Sequence, residues 1–408
     1  MALGLLMLAP APSHAQSAGA DAGSARSKGA PTNGAPATET TAAPRPGRRV
    51  RAFFSGHSLL DNPLPNWIEA MALSRGDSLG WQQQIVLGSP IRIRTRGEDP
   101  EGHAFEGYRL GRSRAGGPID VLGELANPVQ LAPGERYDHL VIAERVDLLG
   151  TMQWEGTIAY LRDYHDRVAR HAPNATTLLY QVWPEIDRRD PAAWIGYVET
   201  ELFAWECVAA RVNDGLAAES RPARVRVVPA GLALAGLVGR AIDGHIPGVE
   251  GSVAQRVDAI FKDDLHLTPM AIYLMAAMHY GVLFDESPVG VAGAEGVAPE
   301  LLPLLQSLAE STLAAYRSRA ERPPTLDSCV ARIADDVCPA YHRIHGRAAR
   351  AERCELWRAP DGPLAGGLPA GASLLSFGWR SAAALVMLAA AGWGWLRFRG
   401  AYPHRARG

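Results

Sequence analysis

From Arg49 onwards, short apolar runs alternate with longer segments in which apolar residues recur every three or four positions. The short runs predict strands at 49–54, 82–87, 137–143, 176–182 and 225–229. The longer segments predict helices at 65–73, 157–171, 194–218, 269–283 and 300–319. Strands separated by helices require crossover connections, and right-handed crossovers build a parallel sheet covered by helices on both faces. The pattern therefore predicts a three-layer α/β/α sandwich.

The first 48 residues lie outside this pattern. Residues 1–10 are almost wholly apolar and lead into small residues, which is typical of a signal peptide cleaved after Ala15. The alternative is an apolar N-terminus without a targeting role. Residues 16–48 are rich in Ala, Gly, Pro, Ser and Thr, and we expect a disordered linker because they cannot bury enough apolar surface to offset their ordering entropy.

The C-terminal segment contains a second apolar stretch. Residues 379–397 predict a transmembrane helix, reached through a Gly/Pro-rich tether at 360–378 and followed by a basic tail at 398–408. Arginines directly after a span favour a cytoplasmic tail, which would place the preceding residues in the periplasm or outside the cell. The alternative is a buried terminal helix.

Charge and cysteine content narrow the class of protein. The formal net charge of the 408 residues is −2, which argues against a nucleic-acid partner because phosphate binding requires a basic surplus. The four cysteines fit an oxidising compartment, and three of them lie in a helical extension at 288–359, interpreted as a lid or stalk. We expect at least one local disulfide in that extension. Cys207 is either a further disulfide partner or a small buried residue.

A serine follows the first predicted strand. Ser58 lies in Ser55-Gly56-His57-Ser58-Leu59, on a glycine-containing turn ahead of a helix, where its N–H can point at a developing oxyanion. Taken alone, this placement is more commonly that of a helix N-cap serine.

An aspartate and a histidine precede the last long apolar helix. Asp263 and His266 lie three residues apart in Asp263-Asp264-Leu265-His266, so one turn can carry both. A nucleophilic serine needs an imidazole to take its proton and a carboxylate to orient that imidazole. The alternative for both residues is a solvated surface position.

Together these motifs resemble the SGNH (GDSL) hydrolases over roughly 49–287. The resemblance implies a flavodoxin-like sheet, with Ser58 as nucleophile, His266 as general base and Asp263 as its orienting partner. It also implies an oxyanion hole built from the N–H groups of Ser58 and of Gly88, which follows the second strand. The implied activity is hydrolysis of acyl or acetyl esters of carbohydrate or lipid, without a cofactor.

The loop after the third strand departs from the family pattern. Val146 stands where the family has an asparagine that donates to the oxyanion, and losing one such donor costs roughly 10²–10³-fold in rate. Arg145 is a candidate substitute, and a Glu144–Arg145 salt bridge is the alternative use of these residues. Glu144 and Trp183, which follow the third and fourth strands, are candidate residues of the substrate cleft. The alternative for Trp183, at least as well founded, is an ordinary core position.

Three interpretations follow from these residues. The first is an ester hydrolase, and the second is an acyltransferase that uses the same triad, because both begin with an acyl-enzyme. The third, motivated by Val146, is a membrane-tethered binding or scaffold protein that keeps the fold without turnover. His57, His139 and His165 show no ligand spacing, so no metal site is predicted.

Overall fold

The computed structural model describes residues 47–97, 105–319, 323–360 and 362–364. The predicted signal peptide, residues 16–46 of the linker, the transmembrane helix at 379–397 and the basic tail lie outside the described residues, as does most of the tether. Within the described ranges, no helix is both long enough and apolar enough to cross a membrane.

The described residues form a parallel α/β fold, as the alternating pattern predicts. Five strands pair in the order β2-β1-β3-β4-β5, and every neighbouring pair is parallel. The strands are β1 (Arg49–Gly56), β2 (Ser78–Ile85), β3 (His139–Ala143), β4 (Thr176–Tyr180) and β5 (Val225–Val228). The α-helices, in chain order, are α1 (Leu64–Ser74), α2 (Ile91–Thr95), α3 (Val121–Ala126), α4 (Leu148–Trp154), α5 (Thr157–Ala169), α6 (Pro191–Ala218), α7 (Ala230–Ile242), α8 (Val253–Asp258), α9 (Pro269–Leu283), α10 (Leu302–Arg319), α11 (Leu326–Arg332) and α12 (Cys338–Ile344).

The central strands are buried on both faces. Phe53 and Phe54 are neighbours on β1 and so point to opposite faces of the sheet, yet both are fully buried. Phe53 packs against Tyr137, while Phe54 contacts Trp81 edge-on. Parallel strands that are covered on both faces read as nearly continuous apolar runs, and residues 140–143 of β3 form such a run.

Helix α9 packs against α1, α7 and α10, and α5 packs against α2, α3 and α6. Helix α6 also packs against α7. Helix α9 carries apolar residues around its whole circumference, as expected for a helix that is enclosed on all sides rather than lying on the surface. Crossovers of this kind bring the carboxyl ends of all five strands to one edge, where functional loops gather.

The C-terminal extension is joined to the rest of the chain by a disulfide. Cys207 on α6 bonds to Cys329 on α11, and Cys338 bonds to Cys354 within the extension. The second bond is the expected local disulfide, and the first shows that Cys207 is not simply a small buried residue. Burial and the neighbouring Asp147 carboxylate raise the pKa of Tyr341 on α12 to about 12, so the extension reaches the loop that follows β3.

Candidate active site

Ser58 lies at the carboxyl end of β1, between the ends of β2 and β3. It opens a short 3₁₀ turn, Ser58–Leu60, that follows the strand directly. The turn is tight because Gly56 has no side chain: a Cβ at that position would lie 2.7 Å from the Cβ of Leu60. The strand therefore ends in a compact turn that leaves the Ser58 side chain half-buried at the edge of the sheet.

The Ser58 hydroxyl meets the imidazole of His266 across 208 residues of chain. Ser58 Oγ lies 2.9 Å from His266 Nε2, and His266 Nδ1 lies 2.8 Å from Asp263 Oδ2. The structure therefore brings together all three side chains that the two sequence motifs singled out. A hydroxyl, an imidazole and a carboxylate in this order can move a proton from the oxygen to the ring while the carboxylate stabilises the imidazolium.

The turn that carries Asp263 and His266 is organised by the aspartate itself. Asp263 Oδ1 accepts hydrogen bonds from the N–H groups of Leu265 (2.8 Å) and His266 (2.6 Å). The His266 N–H bond, more than any other contact, lowers the pKa of Asp263 to about 2, so the carboxylate is ionised at neutral pH. The side chains of His266 and Asp263 are 42% and 58% exposed, so this edge of the sheet is open to solvent.

The segment after β4 is hydrogen-bonded to the backbone of the turn that carries Asp263 and His266. Trp183 Nε1 donates a 3.0 Å hydrogen bond to the carbonyl of Leu265, and the Ile186 N–H donates one of 2.7 Å to the carbonyl of Asp264. Trp183 is fully buried, so its interpretation as a cleft residue is wrong in this structure: no face of the ring is open to a substrate. The indole instead supports the backbone of the turn.

His57, the sequence neighbour of Ser58, is not placed to act as the base. Its ring is buried, with Nε2 3.0 Å from the carbonyl oxygen of Glu144 and Nδ1 accepting from the Leu59 N–H at 3.4 Å. Burial, followed by repulsion from Arg94, lowers the pKa of His57 to about 4. The ring is therefore neutral at pH 7, and both of its nitrogens are occupied by the turn.

Two backbone N–H groups, one after β1 and one after β2, have no protein acceptor among the described residues. Within the described part of the chain, neither the Ser58 N–H nor the Gly88 N–H donates a hydrogen bond to a protein atom. Gly88 has a φ of +65°, a conformation that favours glycine, and its Cβ position faces open space. Free N–H groups at the ends of neighbouring strands are suited to bind an oxyanion.

Glu144 is a structural residue beneath the site. Its carboxylate is fully buried and accepts hydrogen bonds from the N–H of Ile91 (3.0 Å), the N–H of Arg145 (2.7 Å) and the hydroxyl of Thr157 (2.8 Å). The interpretation of Glu144 as a cleft residue is therefore wrong. The suggested salt bridge is wrong as well, because the carboxylate binds the backbone of Arg145 and not its guanidinium. Burial raises the pKa of Glu144, and the nearby Arg94 opposes that rise.

Arg94, which no sequence motif indicated, ties the strand ends together. Its buried guanidinium donates to the hydroxyl of Ser55 on β1, to the carbonyl and hydroxyl of Ser89 after β2, and to the carbonyl of Ala143 on β3. Burial lowers the pKa of Arg94 to about 10, so it stays charged at neutral pH. The loop that presents Gly88 is thus fastened to both neighbouring strands.

Gly88 and Arg145 are among the residues that line a cavity of about 700 Å³. Within the described residues, no carboxylate lies at salt-bridge distance from the Arg145 guanidinium. Val146, at the position expected to hold an asparagine, is partly buried against the core. The loop after β3 therefore offers a cation to the site and no side-chain amide.

One cluster of metal-type donors occurs among the described residues, and it lies in the extension. Cys338, His342 and Cys354 lie close together, but the two sulfurs are bonded to each other and so are not thiolates. Metal ligation by cysteine requires the thiolate form. The cluster in its oxidised form is therefore a disulfide with a neighbouring histidine.

Comparison with known proteins yields one distant structural likeness. No protein-family model matches the chain, and no curated protein matches it. Among solved structures, the chain is similar to a DUF4886 family protein from Bacteroides uniformis, with 13% identity and a TM-score of 0.43, over 65% of this chain and 95% of that one.

Proposed function

We propose that this protein is a serine hydrolase of the SGNH kind that cleaves acyl or acetyl esters of carbohydrate or lipid. The observation that carries the proposal is the pair of distances that links Ser58 Oγ to His266 Nε2 (2.9 Å) and His266 Nδ1 to Asp263 Oδ2 (2.8 Å). The strand order β2-β1-β3-β4-β5 supports it, because flavodoxin-like sheets have this order and place their sites at the carboxyl edge.

The proposed reaction proceeds through an acyl-enzyme. His266 Nε2 takes the proton of the Ser58 hydroxyl as Oγ attacks the ester carbonyl carbon, and the carbonyl oxygen becomes an oxyanion held by the N–H groups of Ser58 and Gly88. His266 then returns the proton to the leaving alkoxide as the ester bond breaks. Water, deprotonated by His266, attacks the acyl-serine, which releases the carboxylic acid and restores the Ser58 hydroxyl.

Asp263 has a positioning and electrostatic part in this scheme. It accepts from the Nδ1 side of the ring, which keeps Nε2 free to face Ser58, and its negative charge stabilises the imidazolium that forms during attack. Its low pKa means that this charge persists down to acidic pH.

Labelling with a fluorophosphonate tests the proposal. Wild type should be labelled, Ser58→Ala should not, and Ser318→Ala, which removes an exposed hydroxyl at the end of α10, should be labelled like wild type. Hydrolysis of 4-nitrophenyl acetate should show the same dependence on Ser58. Labelling that survives Ser58→Ala contradicts the proposal.

Val146 is the observation that favours a second candidate, a binding or scaffold protein on the same fold. The oxyanion site then has two backbone donors and lacks the side-chain amide, and a missing donor costs roughly 10²–10³-fold in rate. No Ser58-dependent ester hydrolysis, together with measurable binding of an envelope glycan, supports this candidate over the hydrolase.

We also infer that the protein works outside the cytoplasm, anchored by residues 379–397. The two disulfides support this location, since such bonds persist in oxidising compartments. Protease added to intact spheroplasts should degrade the folded part of the chain. Its protection under those conditions contradicts the inference.

A further inference from the structure

The cavity next to Gly88 has a composition that an ordinary acetyl ester would not use. Its lining combines apolar residues, including Leu87 and Leu110, with Arg109 and Arg145. Leu87 is 65% exposed, which is unusual for a large apolar side chain. An acetyl group would fill only a small part of a cavity of about 700 Å³.

The described residues that line the cavity carry a net positive charge. Of its lining cations, Arg92 is paired with Glu155, so these two charges cancel. Arg145 has no carboxylate at salt-bridge distance within the described residues. Among the described lining residues, Arg109 and Arg145 then face one further acid, Glu106, which leaves a net positive charge.

Arg145 is held in position by its own backbone. Its N–H donates a 2.7 Å hydrogen bond to the buried Glu144 carboxylate, which also accepts a hydrogen bond from the N–H of Ile91 at the start of α2. The loop that presents the guanidinium is therefore fixed to the loop that presents Gly88. A cation with a fixed base and a free planar head suits bidentate binding of a carboxylate or phosphate.

We infer that the cavity binds the acyl part of an ester whose chain ends in an anionic group, with Arg145 as the residue that binds the anion. This inference rests on the proposed function for the position of the ester carbonyl, at Ser58 and Gly88. The chain runs past Leu87 and Leu110, and its terminal carboxylate or other anion meets Arg145 and Arg109. The substrate class is then a monoester of a dicarboxylic acid or a similar acidic acyl group.

A pair of substrates tests this inference. Mono(4-nitrophenyl) adipate and 4-nitrophenyl hexanoate share the chain and the leaving group, and differ in a terminal carboxylate. Wild type should show the higher kcat/KM for adipate, and Arg145→Gln should lower the adipate-to-hexanoate ratio by about 10-fold or more, the usual scale of a charge-assisted contact. Arg145→Lys should retain part of the preference, and Arg170→Gln, which removes an exposed arginine at the end of α5, should retain all of it.

The same variants separate the anion site from an oxyanion role. If Arg145 binds the oxyanion, Arg145→Gln lowers kcat for both esters by the same factor and the ratio does not move, which overturns the inference. An equal kcat/KM for the two esters in wild type also overturns it while leaving the proposed hydrolase intact.

Binding without turnover supplies an independent readout. Calorimetry with Ser58→Ala protein and adipate should detect binding that weakens about 10-fold in Ser58→Ala/Arg145→Gln and falls with added salt. If ester hydrolysis fails altogether, the proposed function fails, and this titration still decides the anion site. No heat of adipate binding at millimolar concentration overturns it.

Discussion

The indole Nε1 of Trp183 donates a 3.0 Å hydrogen bond to the carbonyl oxygen of Leu265, the residue between Asp264 and His266. The buried Trp183 side chain, just after β4, therefore helps to hold the backbone of the turn that carries His266 in place. Ser58 lies on the 3₁₀ turn after β1, so its distance from His266 is set by contacts such as this one and the hydrogen bond from the Ile186 N–H to Asp264.

Trp183→Phe keeps an aromatic ring in the core and removes the N–H donor. We expect kcat/KM for 4-nitrophenyl acetate to fall by about 10–100-fold, since misplacing a catalytic group by about 1 Å has an effect of this size. Trp81→Phe is the control: Trp81 is also buried and donates from Nε1, but to Glu69 on α1. Equal losses of activity in the two variants would mean that Trp183 acts only through stability.

Val146→Asn restores the side-chain amide that the loop after β3 lacks. If Ser58 and Gly88 supply the only oxyanion donors, a third should raise kcat by about 10-fold or more, with the full effect of one donor being roughly 10²–10³-fold. Steady-state kinetics with 4-nitrophenyl acetate measures this, and Val146→Leu, which adds no donor, should give no gain. An unchanged kcat in Val146→Asn argues that this side chain does not face the oxyanion.

The two disulfides close loops of very different length. Cys207–Cys329 spans 122 residues and Cys338–Cys354 spans 16. In the chain-entropy description, the disulfide that closes the longer loop stabilises the folded state by about 5 kcal/mol, and the one that closes the shorter loop by about 3 kcal/mol. We expect Cys207→Ala/Cys329→Ala to lower the free energy of unfolding more than Cys338→Ala/Cys354→Ala does, measured by chemical denaturation. The reverse order would indicate that the unfolded chain keeps structure across the long loop.

The strands and the triad were accessible from the sequence because each leaves a local pattern. Helix α9 begins and ends where its apolar run predicts, at Pro269 and Leu283. Ser58 and the Asp263–His266 turn stand at the boundaries of strongly apolar elements, where the chain must leave the core. Those boundaries are visible without knowledge of the fold.

Other features depend on contacts between distant segments and leave no such pattern. Arg94 lies in an Ile-Arg-Ile-Arg run, an alternation typical of a half-exposed strand with solvated arginines, yet it lies in helix α2 and is buried. Helix α7 contains three glycines, which disfavour a helix, and it is not among the predicted helices. Strand β2 begins at Ser78, whereas the sequence predicts a start at residue 82. Leu79 and Trp81 are buried, but Gly80 lies between them, and a glycine weakens the strand pattern in the sequence.

Acid should destabilise the fold through its buried histidines, and His279 gives the clearest case. It is enclosed in α9, donates from Nδ1 to the carbonyl of Met275 at 2.8 Å, and burial lowers its pKa from 6.5 to about 4. Between pH 6.5 and 4 the unfolded chain binds a proton at this ring and the folded chain does not, so stability falls as the pH falls through that window and levels off below it. The free energy of unfolding, measured by chemical denaturation, should therefore fall by about 1–3 kcal/mol less in His279→Leu than in wild type between pH 7 and 4.5. Met275→Leu, a substitution of similar volume on the same helix, should keep the wild-type dependence of unfolding free energy on pH. The same dependence in His279→Leu would show that this ring does not contribute to acid sensitivity.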